Sequence, residues 1–199
     1  MHKKIHRADR KLGINLFDKP NSPIVKRNYP LGQHGKRMKR RRSNYAERLV
    51  ERQKWRALYN IKSGTLDTII RKAGQTRKPD VSLFASLERR FDQVVYKLGF
   101  APSIHSARQL VVHKHFLING MRVNIPSYKL KPKDVVSVRE KSKSIAIINR
   151  CIESKIESLP PYLKKQEQMT GIFMRLPETK EELGLHFNIN PTAVIESLR

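Results

Sequence analysis

The sequence contains few acidic residues, one cysteine and few aromatic residues, and it lacks a long apolar run. The single cysteine, Cys151, excludes an internal disulfide framework and a cysteine-based zinc site, and it is typical of a reducing compartment. No apolar stretch approaches the roughly 20 residues that a membrane span requires. The basic N-terminus is not followed by an apolar segment, so we expect no secretory signal. Because aromatic residues make up only 7% of the chain, the core is expected to be mainly aliphatic.

Positive charge is what the sequence has in excess. Its 199 residues include 42 Lys+Arg and 17 Asp+Glu, a formal net charge of +25. Self-repulsion on this scale destabilises a compact free protein, which favours a polyanion as the native partner. The net charge is +14 over residues 1–60, +11 over 61–159 and zero over 160–199. The surface that faces a polyanion is therefore expected within the first 160 residues.

The hydrophobic pattern changes from helical to extended and back along the chain. Residues 1–42 look irregular apart from a short helix, and they end in a basic run from Lys36 to Arg42. Ser43 or Asn44 is a candidate N-cap for the next helix, and Asn119-Gly120 indicates a hairpin turn. Periodicity predicts helices over 3–12, 45–61, 66–73, 81–98, 104–112, 143–158 and 191–198, and strands over 116–118, 121–124, 135–138, 162–165 and 169–176.

The predicted helix over 45–61 has two different faces. One face is predicted to be a core stripe and contains Ala46, Leu49, Val50, Ala57 and Ile61. The other face interleaves arginine with aromatic residues and contains Tyr45, Arg48, Arg52, Trp55, Arg56 and Tyr59. Guanidinium groups bind phosphate, so the arginines are predicted RNA contacts. Two interpretations remain for Trp55 and Tyr59, since they either stack on bases or pack against another helix.

Residues 87–138 combine two helices, a tight turn and short strands. The inner face of the second helix is predicted to contain Ile104, Ala107, Leu110 and Val111. Basic and amide groups concentrate near that helix and the hairpin, namely Arg89, Arg90, Arg108, Gln109, His113, Lys114, Asn119 and Arg122. A cluster of this kind can bind an RNA backbone, because its side chains can reach phosphates and 2′-hydroxyl groups.

Two motifs carry a resemblance to a known family. The first runs from Leu87-Glu88-Arg89-Arg90-Phe91-Asp92 through Ala107-Arg108-Gln109-Leu110-Val111 to Asn119-Gly120 and Val123–Tyr128, and it resembles the α-L RNA-binding module. The second is Gly32-Gln33-His34-Gly35, followed by the basic run, Ser43-Asn44-Tyr45 and Glu51-Arg52-Gln53-Lys54. Together, and in this order over nearly the whole chain, they resemble the family of protein four of the small ribosomal subunit, of bacterial type.

The resemblance implies an α+β fold, in which a mostly helical N-terminal domain precedes an α+β domain with the helix–helix–hairpin module. We expect an rRNA-binding domain over 1–86, with 1–42 as an irregular extension, and an α+β domain over 87–176 with the module at about 87–150. A tail follows over 177–199, for which packing on the N-terminal domain is one option.

The resemblance also implies a function. The family is a structural part of the small ribosomal subunit, binds its rRNA early in assembly at a multi-helix junction of the 5′ domain, lies near the messenger RNA entry path and contacts small-subunit protein five. The implied location is the ribosome of a bacterial cytoplasm or of an organelle matrix, with no membrane partner. The predicted rRNA-binding set joins residues at matching positions with the arginines of the helix over 45–61 and with two cations near the module's second helix and hairpin, Lys114 and Arg122. Its members are Gln33, His34, Gly35, Arg37, Lys39, Arg40, Arg41, Arg42, Arg48, Arg52, Arg56, Arg108, Gln109, His113, Lys114, Asn119 and Arg122.

The main alternative is an RNA-modifying enzyme, or another RNA-binding factor, that carries an α-L module as an appendage. Such enzymes need a catalytic domain of well over about 100 residues beside the module. The sequence shows no phosphate-binding glycine loop, no nucleophile elbow and no convincing acid–base pair. No catalytic residue, cofactor or metal is therefore expected, and His113-x-His115 lacks a third ligand nearby. Cys151 is expected to be a small buried hydrophobic residue.

Overall fold

The computed structural model describes residues 2–17, 22–35, 42–153, 159–184 and 189–198. This part of the chain forms helices and an antiparallel sheet, which confirms the α+β class. The helices are α1 (His2–Leu12), α2 (Pro23–Lys26), α3 (Asn44–Leu58), α4 (Ser63–Gly74), α5 (Pro79–Glu88), α6 (Phe91–Lys97), α7 (Ile104–Val112), α8 (Ala146–Glu153) and α9 (Pro191–Glu196). The strands are β1 (Phe116–Ile118), β2 (Met121–Arg122), β3 (Val135–Val138), β4 (Leu163–Glu167) and β5 (Thr170–Phe173).

The chain divides into two compact units. The first contains residues 1–80 and 185–199, and the second contains residues 81–184. The division falls at the start of α5, and the sequence-based boundary at residue 86 falls further along the same helix.

The first unit is a cluster of helices around aromatic side chains. Ser43 caps α3, because its hydroxyl oxygen accepts a hydrogen bond from the Ala46 backbone N–H at 3.3 Å. Trp55 and Tyr59 of this helix are fully buried and stack with their ring centroids 5.9 Å apart. The C-terminal helix α9 packs against α3 and α4.

The predicted core stripe of α3 is wrong except at Ile61, which is buried just after the helix ends. Leu49, assigned to the core, is 38% exposed, whereas Trp55 and Tyr59, assigned to the opposite face, are 0% and 1% exposed. Of the two interpretations of these aromatic residues, packing in the core is the one observed. The physical reason is that large rings bury more apolar area than the alanines and valine of the other face, so they decide which side of the helix turns inward.

The second unit is built on a five-stranded antiparallel sheet with the order β2-β1-β3-β5-β4. The Asn119-Gly120 turn connects β1 to β2, and Phe116 of β1 pairs with Val138 of β3. Helices α6 and α7 pack against each other, and their apolar side chains share one core with the sheet. Gly171 in β5 makes this packing possible, because a Cβ at that position would lie 2.5 Å from a methyl carbon of the buried Leu98.

The prediction of one helix over 81–98 is wrong, since two helices, α5 and α6, cover this stretch. Arg90 between them is extended, with φ −67° and ψ 138°. Its neighbours pair with a distant segment instead of continuing the helix: Phe91 N–H donates to the Tyr128 carbonyl at 2.9 Å, and Leu130 N–H donates to the Arg89 carbonyl at 2.8 Å. The apolar periodicity continues through the break, so it does not reveal this long-range pairing.

A buried polar network holds the second unit together. The Lys97 ammonium lies 2.9 Å from Glu88 Oε2 and donates to Tyr162 Oη at 2.8 Å and to the Leu183 carbonyl at 3.0 Å. The Tyr162 hydroxyl in turn donates to Glu88 Oε2 at 2.8 Å. Glu88 is 1% exposed, and these partners supply hydrogen bonds that offset the cost of burying its carboxyl group.

The other predicted elements are present, with ends that differ from the prediction by up to three residues in either direction, and the four-residue helix α2 was not predicted. The strands around residues 163–167 and 170–173 form the second predicted hairpin. The helix predicted over 143–158 begins only at Ala146, after a separate 3-10 turn over Glu140–Ser142, and residues 154–158 lie outside the described part. Cys151 of α8 is half-buried rather than fully buried, and burial raises the pKa of its thiol. Among the helices in the described ranges, none combines the length and apolar character that crossing a bilayer requires.

Candidate nucleic-acid interface

Helix α7 presents one face to the core and the other to solvent. Ser103 caps it by accepting a hydrogen bond from the Ser106 backbone N–H at 3.2 Å. The predicted inner face is confirmed, because Ile104, Ala107, Leu110 and Val111 are all buried. On the other side, the Arg108 side chain is 42% exposed, and Gln109 and His113 are exposed. The sequence pattern therefore places these three polar side chains where a ligand can reach them.

Beneath Arg108 lies a buried carboxylate that is already paired. Asp92 is fully buried and accepts hydrogen bonds from Arg90 Nε at 3.0 Å and Arg90 Nη2 at 2.6 Å. Burial raises the pKa of Asp92, and the hydrogen bonds and charge of Arg90 oppose that rise. Arg108 Nη1 lies 3.8 Å from the same carboxylate, too far for a hydrogen bond. Two guanidinium groups share one carboxylate, which leaves a net positive charge at the base of the α7 outer face.

Two further cations lie beside α7 and β2. Lys114 follows the C-cap of α7, and Arg122 lies in β2, an edge strand of the sheet. Both side chains are exposed and form no hydrogen bond or ion pair with other residues in the described ranges. They are therefore available for an anionic ligand.

Asn119 has a structural task at the hairpin turn. Its backbone has a φ of 49°, in the left-handed region that the Asn-Gly turn needs. Its side-chain amide donates to Asp134 Oδ1 at 2.9 Å, and its amide oxygen accepts from the Val135 N–H at 2.9 Å. These bonds connect the turn to the start of β3. An additional RNA contact by Asn119 stays a prediction.

In the first unit, residues 29–35 form a loop that α1 holds in place. Arg10 donates to the carbonyls of Tyr29 and Pro30 at 3.2–3.4 Å, and its guanidinium lies 5.2 Å from the centre of the Tyr29 ring. Gly35 closes the loop against Pro30, where a Cβ would lie 2.1 Å from the carbonyl oxygen. The glycine is therefore required by the protein's own backbone. Gln33 and His34, the predicted contacts, are exposed in this loop.

The arginines of α3 have partners within the protein. Arg48 forms an ion pair with Glu196 of α9 at 2.9 Å. Arg52 pairs with Asp67 of α4 and donates to Ser63 Oγ at 2.9 Å, while Arg56 donates to Gln53 Oε1 at 2.9 Å. Arg52 thus helps to join α3 to α4, a role that the sequence analysis missed.

The rest of the predicted rRNA-binding set is only partly described. Arg42 is exposed just before α3. Arg37, Lys39, Arg40 and Arg41 lie outside the described residues.

Two structural features near the candidate interface could not be assigned from the sequence. The Arg90–Asp92 pair could not be predicted, because the sequence pattern groups Arg90 with the other cations near the module. The local signal for the pair is an acidic residue, Asp92, within a basic segment. The His113 and His115 rings lie 6.2 Å apart, and His115 Nδ1 lies 2.9 Å from Ser142 Oγ. Within the described ranges, no group of three His, Cys, Asp or Glu side chains is placed to bind a metal ion.

Comparison with known proteins shows which family the chain belongs to. Residues 1–89 match the family described as the ribosomal protein S4/S9 N-terminal domain, and residues 89–136 match the S4 domain. Curated relatives called small ribosomal subunit protein uS4 are 37% identical in Maricaulis maris, over 98% of this chain and 96% of the relative, and 40% identical in Thermus thermophilus, over 96% and 94%. The chain belongs to the uS4 family. A further uS4 relative, from Phenylobacterium zucineum, is 39% identical over 98% of this chain and 96% of its own length.

Membership of the uS4 family decides between the two functional interpretations. The relatives are structural proteins of the small ribosomal subunit, so the prediction of a ribosomal, RNA-binding protein is confirmed, and the RNA-modifying enzyme is set aside. The matched S4 domain covers Arg89 to Val136, and this range includes α6, α7 and the β1–β2 hairpin. It therefore contains every cation of the interface described above for the second unit.

Proposed function

We propose that this chain binds small-subunit rRNA directly through two surfaces. The α7 surface consists of Arg108, Gln109, His113, Lys114, Asn119 and Arg122 in the second unit. The N-terminal surface consists of Gln33, His34, Gly35, the basic residues Arg37, Lys39, Arg40, Arg41 and Arg42, and the α3 arginines Arg48, Arg52 and Arg56. The observation that carries the proposal is the division of α7 into a buried apolar stripe and an opposite side that presents Arg108 and Gln109, with the exposed His113 and Lys114 directly after the helix.

The α7 surface suits folded RNA because it combines charge with hydrogen-bonding groups. Cations release counterions from phosphates, which supplies affinity that does not depend on sequence. Gln109 and His113 add groups that can bind 2′-hydroxyls or base edges in a wide, shallow minor groove. The Asp92 carboxylate beneath Arg108 is paired with Arg90, so it does not cancel the charge of the surface.

The two parts of the N-terminal surface differ in support. The loop with Gln33 and His34 is exposed, and hydrogen bonds from Arg10 hold its backbone in place. RNA binding therefore costs little conformational entropy in this loop. The α3 arginines already have protein partners, and Arg48 and Arg52 would share their charge with Glu196 and Asp67. We therefore expect the loop to contribute more to RNA affinity than these two arginines.

Salt-dependent binding tests the proposal at the α7 surface. The RNA is a transcript of the 5′ domain of small-subunit rRNA, and the double variant is Lys114→Gln with Arg122→Gln. The slope of log affinity against log salt should become less steep by about 1.4–1.8, since each lost phosphate contact removes about 0.7–0.9. The matched control, Lys72→Gln with Lys164→Gln, removes two exposed lysine charges elsewhere. An unchanged slope in the folded double variant would contradict the proposed surface.

The finer parts of the proposal concern assembly. We propose that the chain binds early, when it nucleates folding of the 5′ domain, and that it lies near the messenger RNA entry path and contacts small-subunit protein five. Family membership and the high charge of residues 1–60 support this. In reconstitution from purified components, omission of the chain should delay the binding of later proteins. A photo-crosslinking group at Arg42 should label messenger RNA extending from the entry side, and a crosslink to protein five should appear only in the assembled subunit.

A further inference from the structure

Four residues other than glycine have a positive φ in the described part of the chain. Two are asparagines, Asn60 and Asn119, which tolerate the left-handed region. The other two are lysines, Lys114 with φ 62° and Lys133 with φ 74°. A lysine at such a position is less stable than a glycine, because its Cβ crowds the backbone.

Two backbone hydrogen bonds at the end of α7 hold Lys114 in the left-handed conformation. Lys114 N–H donates to the Val111 carbonyl at 2.9 Å, and His115 N–H donates to the Leu110 carbonyl at 3.2 Å. This is the Schellman arrangement that ends a helix, and glycine is the usual residue at the position of Lys114. Lys114 already belongs to the proposed α7 surface, so a cation occurs where backbone geometry alone favours glycine.

Lys133 repeats the pattern in the loop before β3. Its N–H donates to the Phe173 carbonyl at 2.6 Å, which fixes the backbone against β5. Its side chain is exposed and forms no ion pair with a residue in the described ranges. Asp134, next in the chain, has its two carboxylate oxygens bound to Asn119 Nδ2 at 2.9 Å and the Lys131 N–H at 2.7 Å. These bonds join the loop to the hairpin turn of the α7 surface.

We infer that Lys133 is a further rRNA-contact residue, which binds a phosphate beyond the hairpin end of the α7 surface. It extends that surface across the Asn119-Gly120 turn. The inference rests on the proposed rRNA binding and adds a residue outside the predicted set. Its basis is the juxtaposition of an exposed cation, a backbone conformation that disfavours a lysine, and a hydrogen bond from the hairpin turn to the adjacent residue, Asp134. Backbone strain that persists under such fixed hydrogen bonding is typical of functional positions.

Two substitutions at Lys133 separate charge from backbone strain. Lys133→Gln removes the charge and keeps the strain, so it should reduce affinity for the 5′-domain transcript about sixfold at 0.1 M salt and make the salt slope less steep by about 0.7–0.9, while Tm is unchanged. Lys133→Gly should weaken binding equally and raise Tm by about 2–6 °C, because it relieves the left-handed conformation. Opposite effects on binding and stability are the expected result.

Two controls complete the experiment. Lys131→Gly adds a glycine to the same loop at a residue without a positive φ, so it should lower Tm. Lys164→Gln removes an exposed lysine charge from β4 and should leave the salt slope near that of the wild type. If the wild type binds the transcript in a salt-dependent way and Lys133→Gln has the same affinity and salt slope, the Lys133 contact is refuted and the proposed function stands. If Lys133→Gly does not raise Tm, the strain argument is refuted. Failure of the wild type to bind the transcript would overturn both proposals.

Discussion

Replacement of Arg10 tests whether this arginine positions the N-terminal loop or contacts RNA itself. Arg10 lies in a strongly basic segment, where the simplest interpretation is a phosphate contact. The structure instead directs its guanidinium to the carbonyls of Tyr29 and Pro30 and over the Tyr29 ring. We predict that Arg10→Gln and Arg10→Lys both weaken rRNA binding, because neither replacement has the planar fork that spans the two carbonyls.

The magnitude follows from the contacts. Hydrogen bonds from a charged donor contribute about 1.5–3 kcal/mol in good geometry, but these contacts are 3.2–3.4 Å long and Arg10 is half-buried, so each is weaker. The cation–π contact adds about 0.5–1 kcal/mol at a partly exposed site. Together these contacts stabilise the loop conformation by about 1–2 kcal/mol. If RNA binding must supply this free energy in the variants, their affinity falls by about 5- to 30-fold.

The assay is filter binding to the 5′-domain transcript over a range of salt concentrations. Arg27→Gln is the matched control, because it removes an exposed arginine charge at the end of α2 without touching the loop contacts. For a positioning residue, both Arg10 variants bind more weakly. The salt slope of Arg10→Lys then equals that of the wild type, and the salt slope of Arg10→Gln equals that of Arg27→Gln. The reasoning is refuted if Arg10→Lys binds like the wild type while Arg10→Gln has a slope less steep by about 0.7–0.9 than Arg27→Gln, since that pattern belongs to a phosphate contact.

Three further predictions concern stability. Gly171→Ala should destabilise the second unit by about 1–3 kcal/mol in urea, since its Cβ would overlap Leu98, whereas Gly64→Ala, with open space in α4, should be neutral or stabilising. Leu110→Ala should cost about 2–5 kcal/mol, and Arg108→Ala, which is 42% exposed, should cost less than about 1 kcal/mol while it weakens RNA binding. Burial, with the charges of His113 and Arg139, lowers the pKa of His115. The unfolded state therefore binds more protons than the folded state just below pH 6.5, so the free energy of unfolding should rise as the pH is raised through that range to 6.5, and His115→Gln should flatten that rise. If the free energy of unfolding depends on pH in the same way for His115→Gln and the wild type, this last prediction is contradicted.

Elements whose structure is determined by residues close together in the chain could be predicted from the sequence. The Asn119-Gly120 turn, the Ser43 cap and the apolar stripe of α7 each follow from residues that are close in the chain. The exposed face of α7 follows from the same pattern, because the positions opposite a buried stripe are exposed. The family resemblance came from these local motifs as well.

Features that depend on distant residues could not be predicted. The break at Arg90 exists because residues 89–92 bond to residues 126–130, and no local residue marks it. The inward turn of Trp55 depends on helices that pack around α3 from other parts of the chain. In both cases the helical periodicity of the segment is real, but tertiary contacts decide where the helix ends and which side is buried.

The arginines show why a net charge of +25 does not by itself define a binding surface. Arg90 is buried against Asp92, Arg52 joins two helices through Asp67, and Arg10 supports a loop. These side chains serve the fold because each has an acceptor of its own within the protein. Lys114 and Arg122 are exposed and have none among the described residues, so their charge is left for a ligand. The internal acceptors of each cation therefore indicate which part of the charge the fold uses and which part it leaves for a ligand, and sequence alone does not show these acceptors.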